Sequence, residues 1–110
     1  MSNITTVNLW CIVRENRAIF KTTIGVNNDL IDLRKVIKEE KPIHFVNIDP
    51  GELILWRVNV ASSVLRNKDT LIEPYLNDKL EEPADTVGDT FNNVEGSNVR
   101  VVVEAPVGES

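Results

Sequence analysis

His44 and Cys11 are the sole histidine and cysteine among 110 residues, so nucleophilic catalysis would have to be built from them. Such chemistry needs a nucleophile, a base and an orienting group. His44 stands between Ile43 and Phe45, where a structural or surface imidazole is the ordinary case. Cys11 falls on the apolar side of an alternating stretch and reads as a buried, inert thiol. A zinc site takes three or four Cys or His ligands, more than the chain owns. Glu81, Glu82, Asp85 and Asp89 would attract a cation but lack the spacing of a calcium loop. No glycine-rich, phosphate-cradling loop is present. The expectation is a chain with no catalytic residue, no cofactor and no metal.

The remaining chemistry is that of surfaces, and two tryptophans, Trp10 and Trp56, are its main bearers. Both lie in stretches that alternate. Thr6–Arg14 places Val7, Leu9, Cys11 and Val13 on one face and Asn8, Trp10, Ile12 and Arg14 on the other, the pattern of a strand. Glu15-Asn16-Arg17 is a break of hairpin length. Ala18–Gly25 then alternates again, with Ala18, Phe20, Thr22 and Ile24 opposite Lys21 and Thr23, which predicts an antiparallel hairpin. Asn27-Asn28-Asp29 supplies capping oxygens, and Leu30, Leu33 and Ile37, with Val36 alongside, form a stripe at helical spacing. A helix is predicted over Asp29–Lys41, ended by Pro42.

After the turn Asp49-Pro50-Gly51, Glu52–Val60 is apolar nearly throughout and predicts an interior strand covered on most of both faces. Residues 61–97 carry weaker signals. Leu71, Ile72, Tyr75, Leu76 and Leu80 suit a short helix or an irregular packed segment, and Glu82–Gly88 suits a loop entering another turn. Asn98–Glu104 closes as a strand. Hairpin, helix, strand, irregular segment and final strand make an α+β domain with one helix layered on a mixed sheet of four to five strands. This is the element order of the ubiquitin-like β-grasp, in which the last strand lies parallel to the first, between the hairpin and the third strand. Residues 1–106 form that domain and 107–110 a flexible tail.

Composition bounds what such a domain does. Apolar residues at 42% and a net charge of −5 suit one soluble domain and exclude disorder along the whole chain. No run of some 18–20 apolar residues crosses a membrane. Met1-Ser2-Asn3-Ile4 lacks the basic and apolar regions of a signal peptide. Residues 1–66 carry nine basic and seven acidic side chains, residues 67–110 three and ten. Arg34, Lys35, Lys38 and Lys41 cluster near the helix end, where they read as a solvated face complementing the dipole. The overall charge disfavours nucleic acid. No small-molecule substrate and no membrane insertion are expected. What remains is a protein partner, including a second copy of the chain. If Leu53 and Leu55 face the helix, Ile54, Trp56 and Val58 join Trp10 and Ile12 on the opposite face of the sheet. Either those five form an exposed partner-binding patch, or residues 61–97 wrap back and bury it, or the third strand takes the opposite register.

Several stretches resemble the N-terminal domain of Crinkler effectors of oomycetes and fungi. Val7–Val13 is similar to the family's apolar start, and Leu30–Pro42 to its "LKxxIKxxKP" segment. Leu53, Leu55, Trp56, Arg57 and Val58 resemble its LxLFLAK stretch in the fungal form LxLWKV. Val99–Pro106 resembles the usual end of that domain. The resemblance implies a ubiquitin-like, non-enzymatic domain that precedes a variable effector domain, which this chain lacks. It further implies a role in delivery, targeting or protein contact for a secreted effector inside host cells, the host nucleus among its destinations. The alternative is a free-standing ubiquitin-like adaptor that binds a partner or itself through the apolar sheet face. A conjugated modifier would want a Gly-Gly tail, and here Gly108 stands alone before Glu109-Ser110.

Overall fold

The computed structural model describes residues 5–41, 45–91 and 96–106. Strand β1 (Thr6–Val13) and strand β2 (Ile19–Gly25) pair antiparallel from Thr6 opposite Gly25 to Ile12 opposite Ile19. The hairpin closes on Val13 N–H to Ala18 O (2.8 Å) and Arg17 N–H to Val13 O (2.8 Å). Arg17 takes a φ of 62°, a left-handed conformation that costs a bulky residue roughly 1–2 kcal/mol. Helix α1 (Leu30–Glu40) starts where Asp29 accepts the Asp32 N–H (2.9 Å), and Leu30, Leu33 and Ile37 are buried, as the spacing predicts. The expected stop at Pro42 lies outside the described residues.

Strand β3 (Ile54–Val60) follows a 3₁₀ turn at Pro50–Glu52, and strand β4 (Val99–Glu104) runs parallel to β1 and antiparallel to β3. The order β2-β1-β4-β3, with α1 on one face, is compatible with a ubiquitin-like β-grasp. One expectation is corrected here: β3 is not interior but ends the four-stranded sheet. Its only further neighbour among the described residues is a single bridge at Lys79, held by Arg57 N–H to Asp78 O and Leu80 N–H to Leu55 O. Its apolar character has another cause, the covering of both its faces.

Two cores sandwich the sheet. Leu9, Cys11, Val13, Leu55, Val101 and Val103 pack under α1. On the other face Ile12, Val58, Val60, Val99 and Val102 pack against Leu65 and Ile72. The latter two belong to residues 61–76, which carry helix α2 (Ser62–Arg66) and a 3₁₀ turn at Glu73–Tyr75. This strap resolves the weakly patterned region, together with helix α3 (Val87–Thr90). A register shift in β4 lets Val99 face one core and Val101 the other, because the extra residue of a bulge inverts the alternation.

Candidate functional site

The outer face of the sheet is where the residue pattern places a partner surface. Leu53 and Leu55 do face α1, and Ile54, Trp56 and Val58 the other side. The face is not open, however. Ile12 (0% exposed) and Val58 (8%) lie beneath the strap, so neither belongs to an exposed patch. Burying them there is worth some 1.5–3 kcal/mol for each aliphatic side chain, which outweighs leaving the face in water. Trp10, Ile54 and Trp56 stay half-buried at its margins. The amine of Lys21 sits over the Trp10 ring at 5.7 Å.

Polar side chains hold the strap down. Trp56 Nε1–H donates to Glu104 Oε1 at 3.0 Å, and Arg14 meets the same oxygen at 2.9 Å. The other arm of Arg14 reaches Glu73 of the strap at 3.1 Å. Desolvation tends to lower the Arg14 pKa, but the bonds to Glu73 and Glu104 outweigh it and raise it. Glu73 is held below the ordinary carboxylate value, first by its own backbone N–H and then by Arg14. Arg17 donates to Leu65 O (2.9 Å) and Thr70 O (2.7 Å), which offsets its strained backbone. Arg14, Arg17, Glu73 and Glu104 line an open cleft of roughly 520 Å³ together with Ile72. The remaining motif residue, Arg57, points elsewhere. Its guanidinium donates to Thr90 O (2.8 Å) and pairs with Asp78, tying the far edge to α3.

Among the described residues no catalytic centre assembles around Cys11 or the acidic side chains. Cys11 is fully buried, and desolvation, with Glu40 second, pushes its thiol far above the range of a reactive thiolate. His44 lies outside the described residues. Glu81, Glu82, Asp85 and Asp89 line a second open cleft with Arg57 and Lys79, and among the described residues no group of three or more acidic, His or Cys side chains is arranged to hold a metal.

The model of the Crinkler effector protein N-terminal domain matches residues 7–104, every strand and helix described above except the first residue of β1. The chain belongs to this family. Over 57 residues, half of its length, it is 33% identical to Crinkler effector protein 1 of Rhizophagus irregularis. That stretch is 12% of the relative, so the Crinkler chain spans a small part of the length of the curated protein it matches.

In this Crinkler domain the LxLFLAK-like residues are therefore spread over three environments. Leu53 and Leu55 fill the α1 core, Val58 fills the strap core, and Trp56 and Arg57 make polar ties on opposite faces. Sequence reasoning missed Arg34. Expected on a solvated face, it is 8% exposed and donates to Leu53 O (3.0 Å), Leu80 O (2.8 Å) and Leu30 O (3.2 Å). Desolvation lowers its pKa. A signal was available: Arg34 falls four residues after Leu30 and three before Ile37, on the apolar stripe itself. Arg14 and Arg17 were missed because their partners lie 48 or more residues away.

Proposed function

We propose that this Crinkler domain is the non-enzymatic N-terminal module of a secreted effector, serving its delivery into host cells and its contacts there. One observation carries the reading. The family match takes in nearly the whole β-grasp, whereas the similar stretch is 12% of a much longer relative. That proportion suits a module that delivers or docks a larger protein. The described residues support this by spending their polar chemistry on structure: Arg14, Arg17, Arg34, Trp56 and Arg57 all bond within the fold. The host nucleus is the proposed destination, with proteins rather than nucleic acid, lipid or a small molecule as partners, in keeping with the net charge of −5.

The test is a secreted fusion of residues 1–110 to a fluorescent reporter, expressed in a microbe that colonises its host. The reporter should enter host cells and collect in nuclei, while the reporter secreted without residues 1–110 stays outside. Equal distributions of the two overturn the delivery reading. A second reading, contact with a protein through the strap margins, is favoured by the half-exposed Trp10, Ile54 and Trp56. Trp10→Glu should fold normally and lose at least tenfold in affinity for any partner so recruited. An unchanged affinity in the folded variant removes the margins from the interface.

A further inference from the structure

Residues 61–76 cross the outer face of the sheet without joining it. Their backbone hydrogen bonds are local: Val64 and Leu65 N–H to Ala61 O, Thr70 N–H to Asn67 O, Tyr75 N–H to Ile72 O and Leu76 N–H to Glu73 O. Among the described residues, none of 62–76 enters a strand ladder or an isolated bridge. The pairing of β3 with β4 ends at Val60 opposite Val99, and the chain returns to the sheet at Asp78, whose carbonyl accepts the Arg57 N–H. Within the strap only Leu65 and Ile72 are buried. The strap can therefore leave the sheet by breaking side-chain ties, with both of its ends still anchored.

The polar ties converge on the hairpin turn between β1 and β2. Arg14 pairs with Glu73, whose side chain is 60% exposed, and an ion pair so open to water holds little. Arg17 is the stronger tie, with bonds to Leu65 O and Thr70 O at 2.9 and 2.7 Å. Its φ of 62° is a second, independent sign. A bulky residue keeps a left-handed backbone where surrounding contacts hold it there, and such strain gathers at segments that switch. Here the contacts that hold it are the two strap carbonyls.

We propose that residues 61–76 are a cover that swings off the sheet as one unit, hinged at Ala61 and Asn77 and clasped by Arg17, while the sheet and α1 stay folded. Opening wets Ile12, Val58 and Val102 and leaves Leu9, Cys11 and Val101 dry, because the latter lie under α1. A segment with two buried anchors and no ladder bonds opens more readily than the core beneath it. Unfolding of the whole domain would instead wet both faces together. The cover thus decides when the apolar outer face meets solvent. The inference does not rest on the delivery reading, since it concerns motion within the isolated domain.

Neighbouring residues on opposite faces of one strand supply the test. Val101 faces α1 and Val102 faces the strap, and both are 0% exposed, so fraying of β4 exposes them together. Val101→Cys and Val102→Cys, each made in a Cys11→Ala chain, are labelled with a thiol reagent under native conditions. Each rate is divided by the rate in urea-unfolded protein. Position 102 should label at least tenfold faster than position 101. Arg17→Gly should speed labelling at position 102 about tenfold. Arg34→Met weakens the α1 side, so it should speed labelling at position 101 and leave position 102 unchanged, because α1 stays packed in the open state. If either β4 variant fails to fold, Cys11 of the wild type and Ile12→Cys in the Cys11→Ala chain repeat the comparison on β1. Equal rates on the two faces overturn the proposal. So does an Arg34→Met change that speeds both positions alike, or an Arg17→Gly change without effect at position 102.

Discussion

Replacing Arg34 by Met keeps most of the side chain's length and volume but removes every donor. The Leu30 carbonyl belongs to the first turn of α1 and keeps its place in the helical ladder. Leu53 O and Leu80 O have no such reserve, and each loses a charge-assisted bond of 3.0 Å and 2.8 Å respectively. A buried acceptor stranded in this way costs about 1–3 kcal/mol. Relief of the desolvation that lowers the Arg34 pKa returns part of that cost. The net loss should be about 2–4 kcal/mol, a large share of the ~5–15 kcal/mol that holds a domain together. Arg34→Lys, with one compact ammonium, can reach one carbonyl and should lose about half as much. Urea unfolding followed by tryptophan fluorescence and circular dichroism is the assay. With a slope near ~2 kcal/mol per molar, Arg34→Met should lower the midpoint by ~1–2 M. A shift under ~0.4 M at unchanged slope would refute the reasoning, because it would mean that water satisfies both carbonyls.

The strap makes its own predictions. Arg17→Gly relieves a left-handed backbone but releases Leu65 O and Thr70 O, so it should lower stability by about 1–2 kcal/mol rather than raise it, measured in the same urea assay. Because Glu73 titrates below its ordinary value in the folded chain, its bond to Arg14 contributes above pH ~4.5 and fades as pH falls through the lowered value. The urea midpoints of wild type and Glu73→Gln should therefore differ at pH 7 and draw together as pH falls through that lowered value; a gap constant with pH would count against the ion pair. Trp56→Phe should cost about 1–2 kcal/mol through the lost bond to Glu104, with a smaller cost in a Glu104→Gln background. Cys11 should react with a thiol reagent only as fast as the chain opens, so that native protein is protected and urea-unfolded protein is labelled at once.

Local and periodic features were legible in the amino-acid order because their causes are local. The alternation of β1 and β2, the Asp29 cap and the Leu30-Leu33-Ile37 stripe depend on residues within a few positions of one another. The succession of these elements, with few compact layerings open to it, is enough to imply the β-grasp. It also carried the family resemblance, which the match over residues 7–104 bears out. What the tertiary structure alone decided is whether the outer face of the sheet is wet or dry. Ile12, Val58 and Val102 alternate in the same way with or without a strap above them. Periodicity records which side a residue faces, not what covers that side. Residues 61–76 have little periodicity of their own because they are held by Leu65, Ile72 and arginine bonds to carbonyls rather than by regular ladders. The same limit hid Arg34, whose charge suggests solvent while its position on the stripe puts it inside. The outcome depended on two carbonyls, Leu53 O and Leu80 O, that only the folded chain brings to its guanidinium.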